Sequence, residues 1–247
     1  MKVAIQISGP KRTIEHCIPV LLSNLEPNHE YDFFLCIVGE EDPKEQDRII
    51  NLFNKVYYTF IPVKDFSYLE KQYNYGRYEP GNVFPQAYST FVCHQLRKTI
   101  EKQEHKKYDV VVRTRTDNTY GAPLPINENA GLLHRPNLII IPDFGHYSGF
   151  NDQIAIGNAY GMDHYCEWYN WLCRLDINRL RHTKYSKIQH PESFWIAPEF
   201  LLRQYLDSMQ QVVVKKPIQY RILRSKFIGA SFSEIPKDNS AWRDNVL

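Results

Sequence analysis

Short apolar runs alternate with helical periodicity over the first third of the chain, and this alternation restricts the fold more than any other feature. Val3, Ile5 and Ile7 open a β run that stops at Ser8-Gly9-Pro10, where Gly-Pro is a strong breaker. Ile14, Cys17, Ile18, Leu21, Leu22 and Leu25 then recur at helical spacing, which predicts a helix over about Thr13–Leu25. Phe33–Val38 is continuously apolar, as expected of a strand covered on both faces. Asp42–Phe53 reads as a helix with Pro43 in its first turn, and Val56–Val63 as a third strand. Strand, helix, strand, helix, strand is the pattern of a parallel sheet with crossover helices.

The pattern breaks at Phe66–Asn82, which holds Tyr68, Tyr73, Tyr75 and Tyr78, with Tyr88 just beyond. Gly76, Pro80 and Gly81 mark its centre, Gln72–Asn82, as a long loop that carries Arg77. A helix over about Val83–Glu104 leads into Tyr108–Arg113, where Val110-Val111-Val112 is the clearest buried strand. After Asp117, Leu132–His134 and Leu138–Ile141 flank Arg135-Pro136-Asn137 and read as a hairpin. Helices over Ala159–Leu175 and Pro198–Ser208 and a strand at Val212–Lys215 follow. With no repeat and no linker, the expectation is one α/β domain over residues 1–247, with a mostly parallel central sheet and a smaller mixed region.

Composition removes several function classes. At 43% hydrophobic and 23% charged the chain is globular rather than disordered. Thirty basic residues against 28 acidic leave +2, which gives no basic field for a nucleic-acid track. Five cysteines without a C-x-x-C pair fit neither a disulfide framework nor a zinc site, and read as small apolar core residues in a reducing compartment. The N-terminal run is too short for a signal h-region, and no stretch approaches the roughly 18 apolar residues that span a bilayer. The expectation is a cytoplasmic protein, with peripheral membrane contact left open. Aromatics are abundant at 14%, and those of the Ala159–Leu175 helix read as core.

Two segments carry chemistry. Arg113, Arg115 and Asp117 follow the Val110–Val112 strand, at the end of a parallel strand where ligands gather. Two guanidiniums there suit phosphate, and a carboxylate beside them suits a divalent ion shared with a diphosphate. The plainer alternative is that these arginines pair with Asp109 or Asp117. Ser8-Gly9-Pro10-Lys11-Arg12-Thr13 follows the first strand; Gly9 permits close backbone approach, and Lys11 or Arg12 can reach a base or phosphate. The alternative is a turn with solvated basic residues. The chain has no P-loop, no G-x-G-x-x-G and no G-x-S-x-G.

YDVVVRTRTD, with SGPKRT after the first strand and FNDQIAIGNAYGM later, resembles small glycosyltransferase-like proteins of bacterial polysaccharide clusters and large DNA viruses. Those carry a start like ISGQ-RT, a central YD-VI-R-R-D and a downstream NDQ-A-G. The matches are scattered from Val3 to about Met162, with a weaker echo in Pro198–Leu202. The resemblance implies a GT-A type, Rossmann-like transferase that uses a UDP- or GDP-sugar and a glycan acceptor. Residues 1–120 would then bind the nucleotide-sugar and 121–247 the acceptor.

On this reading Gly9, Arg12, Arg113 and Arg115 would hold the nucleotide diphosphate, and Tyr75, Arg77 or Tyr78 would fold over the nucleotide, since a loop cannot bury so many tyrosine hydroxyls cheaply. Asp117 resembles the last acid of the D-x-D motif that holds Mn²⁺ or Mg²⁺, although Arg115 stands in the place of the first Asp. Asp152 is the first choice for the base that takes the acceptor's proton in an inverting transfer, and Glu199 the second. The plainer roles are an Asx turn for Asp152 and a first-turn acid for Glu199. A non-catalytic nucleotide- or glycan-binding domain, or a nucleotidyltransferase, are the alternatives to transfer.

Overall fold

A computed structural model describes residues 1–39, 42–70, 83–147, 149–175 and 197–237. The opening alternation forms as expected: β1 (Lys2–Pro10), α1 (Ile14–Ser23), β2 (Glu30–Val38), α2 (Pro43–Ile50) and β3 (Tyr57–Ile61). Asp42 starts α2 by accepting from the backbone N–H groups of Lys44 and Glu45 at 2.8 and 3.1 Å, with Pro43 following where its missing N–H costs nothing. A short α3 (Ser67–Glu70) and the long α4 (Val83–Gln103) lead to β4 (Val110–Arg115) and β5 (Asn118–Tyr120). Then come α5 (Ala130–Leu133), β6 (Leu138–Pro142), β7 (Ala155–Gly157), α6 (Ala159–Cys166), α7 (Trp168–Leu172), α8 (Pro198–Ser208), β8 (Val212–Lys216) and β9 (Tyr220–Ile222).

Seven strands form one sheet in the order β3-β2-β1-β4-β7-β6-β8, so both halves of the chain share it. All neighbours pair in parallel except β7, which runs antiparallel to β4 and to β6. A two-stranded antiparallel sheet, β5 with β9, stands beside it. Side chains alternate across the strands. Val3, Ile5 and Ile7 of β1 and Val110 and Val112 of β4 pack with Ile14, Ile18 and Leu21 of α1. Ala4 of β1 and Val111 of β4 face the opposite layer with Ala87 of α4, Met162 of α6 and Leu202 of α8. Each large apolar side chain buried in this way contributes about 1.5–3 kcal/mol.

Arg97 of α4 is fully buried; it donates to Glu101, to Asp163 of α6 and to His94 Nδ1 at 3.2 Å. Burial and the Arg97 charge push the His94 imidazole down to about 3, so it stays neutral and accepts. This network pins α4 to α6. Four of the five cysteines are buried and Cys173 is exposed; all are free.

Four local expectations need correcting. β4 continues through Arg115, because Gln6, Ile7 and Ser8 of β1 offer partners to Arg113, Thr114 and Arg115. The 132–141 hairpin does not form. Leu132 and Leu133 belong to α5, and β6 pairs with β7 and β8 instead. The helix at Ala159–Leu175 breaks at Glu167, whose N–H bonds back only three residues to His164 O. Its stripe is core as expected through Tyr165, Trp168 and Tyr169, whereas Tyr160 is exposed. The tyrosine-rich loop Gln72–Asn82, including Arg77, lies outside the described residues. Among those residues no helix is long and apolar enough to cross a membrane.

Candidate functional site

β2 and β3 lie on one side of β1 and β4 on the other, so the direction of winding reverses between β1 and β4. The crevice outside the carboxyl ends of two such strands is where open α/β sheets bind ligands. Here it is built by Gly9-Pro10-Lys11-Arg12-Thr13 and by Arg115-Thr116-Asp117. Gly9 has φ +141°, and a Cβ on it would meet Thr116 Oγ1 at 3.0 Å. Thr116 in turn donates to Pro10 O at 2.6 Å, locking the two strand ends together. Arg12 adopts φ +36°, a left-handed conformation that is costly for a residue with a Cβ.

Three guanidiniums converge on Asp117. Arg115 offers Nε to Oδ1 at 2.8 Å and Nη2 to Oδ2 at 2.9 Å. Arg12 Nη1 and Arg224 Nη1 reach Oδ2 at 2.7 and 3.0 Å. Burial would favour the neutral acid, but Arg115, then Arg12 and Arg224, hold the Asp117 carboxyl well below the usual carboxylate range. Burial likewise opposes the Arg115 charge, and Asp117 overrides it, keeping Arg115 firmly protonated. Arg224 is pulled the other way: burial, together with Arg12 and Arg115, outweighs Asp117 and lowers it. Asp117 is sealed at 0% side-chain exposure, while Arg12, Arg224 and Arg115 retain 38, 28 and 14%. The carboxylate is therefore a floor, and the guanidiniums face outward from it.

Arg113, expected beside Arg115, is not in this cluster. It is buried under the sheet end, where it donates to Asp152 O and to Thr90 Oγ1 at 3.2 Å. Its work is to hold the segment that carries Asp152. Within that segment Asn151 makes the Asx turn, its Oδ1 accepting from Gln153 N at 2.9 Å, so the plainer role considered for Asp152 falls to its neighbour. Asp152 Oδ1 accepts from Gln153 Nε2 at 2.6 Å and Oδ2 from Gln86 Nε2. Gln86 also accepts from Arg115 Nη1 at 3.2 Å, linking the carboxylate to the arginine cluster through one amide.

Glu199 is buried in the first turn of α8. Burial and the Asp152 carboxylate together push it well above the ordinary glutamate value. Gly149 brings the two together. A Cβ there would fall 1.9 Å from Glu199 O, and Phe150 N donates to that same oxygen at 2.8 Å. A small cleft of about 20 Å³ borders this segment, lined by Phe144, Tyr147, Asn151, Gln153, Tyr220 and Lys237 among others. Gln153 Oε1 and Asn118 Oδ1 are buried acceptors without a hydrogen-bond partner among the described residues.

Of the residues singled out from the sequence, the structure brings Gly9, Arg12, Arg115, Asp117, Asp152 and Glu199 into one neighbourhood and sets Arg113 behind it as a brace. It adds Arg224 and Gln86, which the sequence did not point to. Arg224 follows β9, a three-residue strand too short to show periodicity, and Gln86 is one of three glutamines in a long helix.

The residues around Asp117 do not fit a divalent cation. Its oxygens already accept four hydrogen bonds from guanidinium groups, and the position two residues before it is itself an arginine. Among the described residues no three His, Cys, Asp or Glu side chains group as metal ligands.

A family described as a domain of unknown function (DUF7796) matches residues 88–189, less than half of the chain. The matched stretch includes Arg113, Arg115, Asp117 and Asp152 and excludes Gly9, Arg12, Glu199 and Arg224. No curated protein matches the sequence.

Proposed function

We propose that the protein is a GT-A-like glycosyltransferase that moves a sugar from a UDP- or GDP-sugar to a hydroxyl of a glycan acceptor. The observation that carries this reading is the pairing, at the β1/β4 reversal, of a guanidinium cluster with a buried carboxylate one amide away. The guanidiniums suit a diphosphate, and the carboxylate suits a proton acceptor. A mostly parallel sheet whose reversal point carries both is compatible with a nucleotide-sugar fold.

In the proposed step the acceptor oxygen bonds to the anomeric carbon. The bond from that carbon to the diphosphate oxygen breaks, and its electron pair leaves with the nucleoside diphosphate. The acceptor proton passes to Asp152. Arg12 and Arg115 oppose the charge that grows on the leaving oxygens, which is the electrostatic part of the catalysis. Glu199, whose ionisation is opposed by burial and by Asp152, stays the second choice for the base. With Asp152 as base, and the Asp117 carboxylate sealed beneath its arginines and unable to attack, a single displacement with inversion is favoured.

The test is incubation with a panel of nucleotide-sugars, assaying nucleoside diphosphate and pyrophosphate. Release of nucleoside diphosphate from a UDP- or GDP-sugar is expected. Pyrophosphate release would instead indicate nucleotidyl transfer, and binding without either product a non-catalytic module.

A further inference from the structure

Transferases that hold a diphosphate on a divalent cation need open carboxylates, and among the described residues this crevice has none to offer: Asp117 lies sealed beneath Arg12, Arg115 and Arg224. We infer that the positive charge at the diphosphate is built from these three guanidiniums, with Arg224 delivered from the far end of the chain, and that donor binding needs no divalent cation. The inference rests on the donor reading above.

Four features support it. Arg12 and Arg115 alone outnumber the carboxylate they share, so the corner can accept further negative charge. A guanidinium binds phosphate oxygens as a two-bond fork, whereas a lysine is a point charge, and all three cations here are arginines. Arg224 is also held in place by its own backbone: Leu223 N donates to Asp117 O at 2.8 Å, and Thr13 Oγ1 donates to Leu223 O at 2.9 Å. Thr13 stands at the N-cap of α1, and its hydroxyl is given to this strap rather than to the helix. The left-handed backbone of Arg12 is consistent with a residue kept for its side chain, since glycine would adopt that conformation more easily.

The experiment is calorimetric titration of the full chain with UDP, GDP and inorganic pyrophosphate, in EDTA and again with Mn²⁺. Binding in EDTA is expected, weakening as salt is raised. Arg12→Gly, which relaxes the backbone, and Arg224→Gln should each weaken it roughly tenfold or more while melting cooperatively, and Arg224→Lys should recover only part. Binding seen only with Mn²⁺, or wild-type affinity in both arginine variants, would overturn the inference. Anion binding in EDTA with no turnover of any nucleotide-sugar keeps the cation-free site and sinks the transferase reading. Turnover that requires Mn²⁺ does the reverse. No binding of any probe in either buffer sinks both.

Discussion

Arg115 and Asp117 are two residues apart and meet as a fork, Nε to Oδ1 at 2.8 Å and Nη2 to Oδ2 at 2.9 Å. Residues i and i+2 of a straight strand stand about 6.5–7 Å apart with parallel side chains, so such a fork requires the chain to turn. β4 ends at Arg115, and the turn that follows folds Asp117 back beneath it. A spacing that resembled a metal motif is thereby a self-contained ion pair, with two more arginines added from distant parts of the chain.

The carboxylate under that cluster sets an acid dependence. Its folded pKa is depressed, so its stabilising contribution is complete above the unfolded value of about 3.9 and drains away as pH falls further. Asp117→Asn should cost about 3–5 kcal/mol at pH 7, since it leaves three guanidiniums without their shared partner. Urea melts of both proteins from pH 7 to 2 should show the gap closing in acid. A gap that holds constant would mean the carboxyl titrates normally.

Glu199 predicts the opposite slope. Its folded pKa is raised, so the native state keeps a proton that the unfolded chain releases near pH 4.3, and wild-type stability falls as pH climbs above that. Glu199→Gln should therefore melt higher than wild type at pH 7 and alike near pH 4, each kcal/mol reading as about 2–4 °C. Thermal scans from pH 4 to 8 that run parallel would show that Glu199 ionises in the fold.

Asp152 and Glu199 should separate kinetically. Asp152→Asn removes the proposed base and should lower turnover about 10²–10⁴-fold with nucleotide affinity retained. Glu199→Gln, at a group whose ionisation burial and Asp152 oppose, should keep most of the rate. Equal losses in both variants would contradict the assignment of the base.

Gly149 tests the seam between these two groups. Gly149→Ala would drive a methyl into the Glu199 carbonyl, and overpacking against backbone costs about 1–3 kcal/mol or more. The variant should melt lower and lose transfer while still binding nucleoside diphosphate, because the arginine cluster lies on other elements. Unchanged turnover would show that the seam does not position the carboxylates.

What was legible in advance follows the range of the interactions. β1 to β4 and their helices carry their pairing in local periodicity, and Gly9 and Arg12 sit where a strand-to-helix corner must. Leu138–Ile141 also reads correctly as a strand, but its neighbours are Val212–Lys216 and Ala155–Gly157, far along the chain. Arg135-Pro136-Asn137 looks like turn chemistry and misleads, because the leucines before it belong to a helical turn after Asn129. Arg113 and Arg115 have the same residue type two positions apart on the same strand face, yet one is a buried brace and the other faces the crevice. Only the place where β4 ends separates them.

The strap at Leu223 and Arg224 also orders events in time. A chain made from its N-terminus completes β1 to β4 and their helices well before these residues emerge. Until then Thr13 Oγ1 and the Asp117 backbone carbonyl lack the partners that Leu223 supplies, and the corner holds two arginines rather than three. The crevice is among the first parts of the fold to be laid down and among the last to be finished, so a product truncated before residue 223 keeps most of the sheet and forfeits the completed corner.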